Sequence, residues 1–371
     1  MHSNTTRLDL GSTPILQQSR RTIFSALPSF LVPPTVFIGL LLGLWAYKCF
    51  MTVIFQDKII YMPYMPPFAR GEKIENYAKA GAGIEWREVR IRSLDGVKIS
   101  LCVGELAHKG ESSRPNDQAL VGSERHVVIC YYQGNGASLP PRLPILSNVL
   151  RAIGGATESQ GGRVRYTVVA LSYRGYWTSS GRASQKGIEL DAQAMLKWVQ
   201  DEYGTGVQLI LWGQSIGAGV ACNSAARHLT VLPQIDSSGM EKLPIAGLLL
   251  ETPFVSIKRM LLVLYPQKWL PYQYLHPFLW NRWDNEEALR RIADAQPVKQ
   301  RPKVLILAAT RDEVVPANQA DELESLCRQL KFSMQRKDVV GALHTEATLR
   351  SEGIDAVSRF VREVSSSTRV L

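Results

Sequence analysis

Residues 207–222 constrain the fold of this chain more than any other stretch. Val207-Gln208-Leu209-Ile210-Leu211-Trp212 is a short apolar run that reads as a buried strand. Gly213-Gln214-Ser215-Ile216-Gly217 follows it, and Ala218-Gly219-Val220-Ala221-Cys222 then reads as the start of a packed helix. A buried strand passing through G-x-S-x-G into a helix is the context of a nucleophile elbow, a sharp turn that lifts the serine Oγ clear of the sheet. Gly213 and Gly217 lack Cβ atoms, so neighbouring backbone can come close. The N–H of Ile216 falls at the helix N-terminus, where the dipole favours a developing oxyanion. Ser215 is therefore the candidate nucleophile, and Ile216 a candidate oxyanion donor.

The rest of the chain suits that elbow. Its 371 residues are 45% hydrophobic and 20% charged, enough apolar material for one large domain over residues 84–371. Residues 85–92 and 97–105 alternate around Asp95-Gly96, the signature of a hairpin. Continuous apolar runs follow at 126–132, 166–172, 207–212, 245–250 and 304–309, with helical patterns between them, among them 187–202 and 216–228. Such alternation predicts an α/β fold with a mostly parallel sheet covered on both faces, fed by an antiparallel hairpin. Residues 109–125 and 230–242 read as polar surface insertions. Residues 255–300 are too long for a plain crossover and carry Trp269, Tyr272, Phe278, Leu279 and Trp280. These five are the candidate lining of an apolar substrate pocket, under a cap-like insertion.

A serine nucleophile needs a base, and the base needs a carboxylate. Reactive groups of an open parallel sheet gather at the carboxyl ends of its strands. Asp312 follows the strand at 304–309, and His344 follows the extended run 331–340. The order Ser, Asp, His is the one used with an elbow, and His344 is the sole histidine after Asp312. Glu251, at the end of the strand 245–250, is the rival acid. A second oxyanion donor belongs after the first buried strand, where the chain reads Gln133-Gly134-Asn135-Gly136. Asn135 and then Gly136 are the candidates. That stretch lacks the third glycine of a dinucleotide-binding fingerprint, and there is no Walker A sequence, so no nucleotide cofactor is read.

Residues 30–55 carry one charge, Lys48, in an otherwise apolar stretch. As a helix, residues 32–55 would rise about 36 Å, enough to cross a bilayer. No A-x-A site follows, which favours a retained single-span anchor over a cleaved leader. Basic residues flank both ends, so the positive-inside rule assigns no side. Residues 1–29 read as a polar, disordered tail, and 56–83 as a juxtamembrane connector rich in Tyr, Met and Pro. The net charge is +10. Part of the excess is local: Arg142, Arg151, Arg163, Arg165, Arg174, Arg182 and Lys186 lie in a stretch whose one acid is Glu158. That run reads as a solvated face or as a patch for anionic head groups. No nucleic-acid-binding motif accompanies it. The five cysteines form no C-x-x-C pair and no Cys/His cluster, so neither metal nor disulfide is expected.

Several motifs in order complete the pattern. They are Gly134-Asn135 with Arg142-Leu143-Pro144, Tyr173-Arg174-Gly175-Tyr176 with Ser180-Gly181, and Asp191-Ala192-Gln193. The elbow, Glu251-Thr252-Pro253-Phe254 and Asp312-Glu313-Val314-Val315-Pro316 follow. Over about residues 30–365 the chain resembles the membrane-anchored α/β-hydrolases of the fungal bud-emergence type, which are similar to the α/β-hydrolase domain-containing proteins of animals. The resemblance implies an α/β-hydrolase fold, a triad of Ser215, Asp312 and His344, and a serine esterase or thioesterase without a cofactor. It also implies an endomembrane location, the endoplasmic reticulum. Two positions depart from the family pattern. Gln133 stands where a histidine is usual, and Thr345-Glu346 where Asn-Asp usually follows the catalytic histidine. The expected partners are the bilayer and a lipid or acylated-protein substrate at its surface. Because such folds also serve as non-catalytic scaffolds, the competing expectation is a membrane-tethered interaction protein.

Overall fold

The structure, a computed structural model, describes residues 28–77, 83–106, 125–136, 138–154, 164–230, 243–268, 270 and 272–366. The proposed tail and most of both polar insertions lie outside the described residues. The chain divides into two compact units, Met1–Met51 and Thr52–Leu371. The helix α1 (Val32–Ile54) follows a 3-10 turn (Ser29–Leu31), and its residues run from the first unit into the second. It is one helix long and apolar enough to cross a membrane, with Phe37, Leu40 and Leu42 among its exposed side chains.

The second unit is built on an eight-stranded sheet. β1 (Ile84–Arg92) and β2 (Lys98–Leu106) form the hairpin expected around Asp95-Gly96. β3 (Arg125–Tyr132), β4 (Val164–Ser172), β5 (Val207–Gln214), β6 (Ile245–Glu251), β7 (Lys303–Ala309) and β8 (Met334–Val339) follow. The order is β1-β2-β4-β3-β5-β6-β7-β8. β2 runs antiparallel to β1 and β4, and every other pairing is parallel. The central strands are buried on both faces, which is why their sequences are apolar without alternation. Period-two geometry still sorts their side chains. Val128, Cys130 and Tyr132 enter one core layer, and Val127, Ile129 and Tyr131 the other.

Helices cover both layers. α4 (Gln185–Tyr203), α5 (Ile216–Thr230), α7 (Asn285–Ala295) and α8 (Ala317–Gln329) contribute to the first, through residues such as Ile188, Ala218, Leu289 and Leu323. α3 (Leu143–Gly154) and α9 (Ser351–Ser366) contribute to the second, through Leu146, Leu150, Phe360 and Val361. Side-chain caps fix several of the helix starts. Ser184 accepts the Gly187 N–H at the head of α4, and Asp284 accepts the Glu287 N–H at the head of α7. The stretch 255–300 holds four helical elements, the last a 3-10 turn at Val298–Gln300. α6 (Ile257–Leu264) and a 3-10 helix (Tyr272–Phe278) lead into α7, which is the ordinary crossover helix between β6 and β7.

One short helix precedes the sheet and adds Tyr61 to the first core layer. α2 (Gln56–Tyr61) follows α1 directly, and Gln56 and Tyr61 are both buried in the second unit. Cys102, Cys130, Cys222 and Cys327 are buried free thiols. The basic run is not one exposed face. Arg174 is buried and paired, and Arg165 bridges to Glu105.

Candidate active site

Ser215 sits between the end of β5 and the start of α5, with a backbone φ of 54°. A left-handed serine is strained, and strain of this kind costs on the order of 1–3 kcal/mol. The surroundings hold it there. The Ser215 N–H donates to the Glu251 carbonyl at 2.8 Å, and the Ser215 carbonyl accepts the Ala218 N–H. The two flanking glycines are a steric necessity. A methyl group at Gly213 would fall 2.1 Å from the Gly217 oxygen, and one at Gly217 would fall 2.0 Å from the Tyr132 oxygen. The turn is thus wedged against the end of β3.

The three residues singled out by their order lie in one hydrogen-bonded line. His344 Nε2 is 2.9 Å from Ser215 Oγ, and His344 Nδ1 is 2.8 and 3.0 Å from the two Asp312 carboxyl oxygens. A carboxylate only accepts, so Nδ1 carries the proton and Nε2 is left to accept from the serine. Asp312 Oδ1 also accepts the N–H groups of Val314 and Val315, which fix its orientation. His344 is 5% exposed, so water competes little for its partners. Glu251 faces elsewhere, bonded to Trp212 Nε1 and Thr348 Oγ1. Burial pushes its carboxyl above the ordinary range, against the pull of those two donors.

The sequence did not reveal how the histidine loop is held. Glu313 accepts the His344 N–H at 2.9 Å, and Glu346 accepts the Leu343 N–H at 3.2 Å. Thr345-Glu346 thus replaces the usual pair with a side chain that still braces the loop.

Across the elbow stands the glycine turn after β3. A methyl group at Gly134 would lie 3.6 Å from Ser215 Cβ, so the turn packs against the nucleophile. Among the described residues the Asn135 N–H has no acceptor, and Ile216 is the first residue of α5, whose N–H has none within the helix. The Gly136 N–H is engaged, donating to the Tyr61 carbonyl at 3.4 Å. Gln133 closes the turn by donating to the Gly136 carbonyl, and Tyr173 Oη donates to the Gln133 carbonyl. A cavity of about 250 Å³ adjoins this turn. Pro66, Glu72, Ser138, Pro141 and Arg142 complete its walls.

The proposed pocket residues are placed differently. Trp269 lies outside the described residues. Tyr272 packs on Tyr265, Phe278 and Trp280 are exposed, Leu279 is half-buried, and none of these four lines the cavity. The residues that sequence reasoning missed are those of the connector, above all Tyr61 and Glu72. For Tyr61 the signal was composition. Tyr61-Met62-Pro63-Tyr64-Met65-Pro66-Pro67 is too apolar for a solvated linker.

An alpha-beta hydrolase from Vibrio vulnificus superposes on this chain with a TM-score of 0.55 at 15% identity, over 84% of this chain and 92% of that one. With the sheet order and the elbow, that establishes the α/β-hydrolase fold. No family model matches the chain. Protein bem46 of Schizosaccharomyces pombe is 25% identical over 269 residues, 72% of this chain and 74% of its own length. The chain is a relative of the bud-emergence α/β-hydrolases. Among further relatives, the lysophosphatidylserine lipase ABHD12 of Danio rerio is 31% identical over 213 residues. That match covers 56% of this chain and 48% of the lipase. These similarities agree with the α/β-hydrolase fold.

Proposed function

We propose that the protein is a serine hydrolase that cleaves an acyl ester or thioester, of a lipid or an acylated protein, at a membrane to which α1 tethers it. The observation that carries the reading is the continuous line of hydrogen bonds from Asp312 through His344 to Ser215. In this mechanism Ser215 Oγ attacks the acyl carbon while His344 Nε2 takes its proton. Asp312 holds the tautomer and stabilises the imidazolium. The Asn135 and Ile216 N–H groups face the oxygen on which negative charge develops. Collapse expels the alcohol or thiol, which leaves with the proton from His344. Water then attacks the acyl-enzyme by the same route in reverse.

The membrane part of the reading is supported by α1 and by its place in the chain. The helix ends two residues before Gln56, whose side chain is hydrogen-bonded within the hydrolase unit. A tether this short favours substrates presented by the bilayer. Phe278 and Trp280, both exposed, supply apolar surface on the same unit. The lipase named among the relatives supports a lipid ester.

Two results are expected. With p-nitrophenyl esters, nitrophenol should appear in a burst equal to the enzyme concentration. kcat/KM should rise from acetate toward longer chains, since each CH₂ buried in the transition state contributes roughly 0.8 kcal/mol. A preference for acetate without a burst would contradict the reading. In cells, the full chain should resist alkaline carbonate extraction and co-localise with an endoplasmic reticulum marker. Release by carbonate would show that α1 is not a span.

A further inference from the structure

We propose that residues 56–72, immediately after the apolar helix, are a positioning element of the catalytic site. Tyr61 and Glu72 are its positioning residues and hold the oxyanion turn at residues 133–138. The inference rests on the triad reading above and adds a dependence that reading does not contain. Hydrolysis requires the stretch of chain that joins the hydrolase domain to α1, and a passive tether would not have that property.

The first residue of the oxyanion turn is held by Tyr173, and its far side depends on this segment. It lies between the end of β3 and the 3-10 turn Pro140–Arg142, and Gly136 adopts a φ of 103°. Glycine-rich backbone is the most entropically expensive to order. Among the described residues, Tyr173 Oη anchors the turn at the Gln133 carbonyl, and the two hydrogen bonds that tie its later positions, 136 and 138, to residues outside the turn both come from this segment. The Gly136 N–H donates to the Tyr61 carbonyl, and Ser138 Oγ donates to the Glu72 carboxylate. The donor that would face an oxyanion, Asn135 N–H, lies one residue before Gly136.

The segment is itself fixed to the rigid scaffold at both ends. Tyr61 is completely buried. Its hydroxyl donates to Asn281 Oδ1 at 2.8 Å and accepts from Trp283 Nε1 at 2.8 Å. Its carbonyl accepts from Tyr176 Oη as well as from Gly136. Gln56 Oε1 accepts the N–H groups of Trp280 and Asn281, and Asp57 accepts from Trp280 Nε1. At the other end Trp177 Nε1 donates to the Glu72 carbonyl at 2.7 Å, and Arg70 donates to the carbonyls of Gly175 and Ser179. Trp283 also packs on Gly219 of α5, where an added methyl group would meet it at 3.0 Å. One network therefore touches both sources of oxyanion donors: the turn through Tyr61, and the elbow helix through Trp283.

A donor misplaced by about 1 Å can reduce the rate on the order of 10²-fold while leaving ground-state binding intact. The effect therefore belongs in kcat rather than KM. Among the described residues no hydrogen bond joins this segment to His344 or Asp312, so the pH dependence of the reaction should not move with it.

The test uses the full-length protein in lipid nanodiscs, with Glu72→Ala, Glu72→Gln and Tyr61→Phe. Glutamine keeps an oxygen that can accept from Ser138, and phenylalanine keeps the buried ring while removing two hydrogen bonds. The readouts are the second-order rate of fluorophosphonate labelling, kcat and KM for an ester, and affinity for an alkyl boronic acid. The boronate forms a tetrahedral adduct that occupies the oxyanion site. Glu72→Ala and Tyr61→Phe should lower kcat, labelling rate and boronate affinity by about 10-fold or more. KM and the pH–rate profile should be unchanged, and Glu72→Gln should recover most of the loss. Wild-type rates in folded Glu72→Ala and Tyr61→Phe would overturn the inference and leave the triad standing. So would losses that follow melting temperature alone, with no recovery in Glu72→Gln. A wild-type protein that takes no label would overturn the triad reading, and this inference with it.

Discussion

Alanine at Ser215 or at His344 is expected to lower kcat for ester hydrolysis by about 10³-fold or more, and the double variant should be scarcely worse than either single one. The non-additivity follows from the geometry. At 2.9 Å, Ser215 Oγ and His344 Nε2 share one proton, and neither has a function in the attack once the other is gone. Asp312→Asn should cost a comparable factor for a different reason. An amide nitrogen facing Nδ1 would favour the wrong tautomer and move the proton to Nε2, where the serine needs an acceptor. Glu251→Gln is the contrasting variant. Its carboxyl meets Trp212 and Thr348 and never the imidazole, so kcat should hold. Stability should fall by about 1–3 kcal/mol, because an amide offers one acceptor oxygen to two buried donors. Steady-state kinetics beside urea denaturation separates the two outcomes. If Glu251→Gln loses activity and Asp312→Asn keeps it, the acid has been misassigned.

The second large effect is expected on stability. Asp191→Ala should destabilise the domain by about 3–5 kcal/mol, measured from the urea midpoint, because it leaves a buried guanidinium without its main counter-charge. Asp191 is fully buried on α4 and accepts from the Arg174 backbone N–H, Nε and Nη2. Arg174 reaches onward to Asp95 and Ser93 in the β1–β2 hairpin. One side chain thus ties the hairpin, the loop after β4 and α4 together. Arg174→Lys should lose most of the same stability, since a single ammonium cannot make these forked bonds. The arrangement is also sensitive to acid. The Arg174 guanidinium holds the Asp95 carboxyl below the usual carboxylate range. The stability from that bond is therefore present at neutral pH and is lost as pH falls below about 4, through the lowered pKa. A urea midpoint that stays flat from neutral pH down to about 3 would contradict this.

Arg174 also shows where the sequence stops being legible. In the chain it is one of seven basic residues spread over 142–186, and a solvated face is the natural reading. Only the fold brings Asp95 and Asp191 to it from both sides. The strands were readable because burial on both faces leaves continuous apolar runs. The elbow was readable because its two glycines, serine and following helix are local. Asp312 and His344 were readable from their order and their positions after strands, although they lie far from Ser215 in sequence. Tyr61 was not, because its partners Asn281 and Trp283 lie more than two hundred residues away and leave no periodic trace. The same holds for Gly136, whose N–H was a candidate donor until the Tyr61 carbonyl was seen to accept it. For Tyr272, Phe278, Leu279 and Trp280, aromatic content suggested a pocket lining. Their actual orientation depends on how α6 and the following 3-10 helix pack, which composition does not encode.

The central claim is that Ser215 is an activated nucleophile. The most direct measurement is the mass of the intact protein after reaction with a fluorophosphonate, with the adduct mapped by peptide sequencing. One adduct per chain, on Ser215, absent from Ser215→Ala and strongly slowed in His344→Ala, is the predicted result. A folded wild-type protein that stays unmodified, or that is modified equally well when Ser215 is alanine, would contradict it.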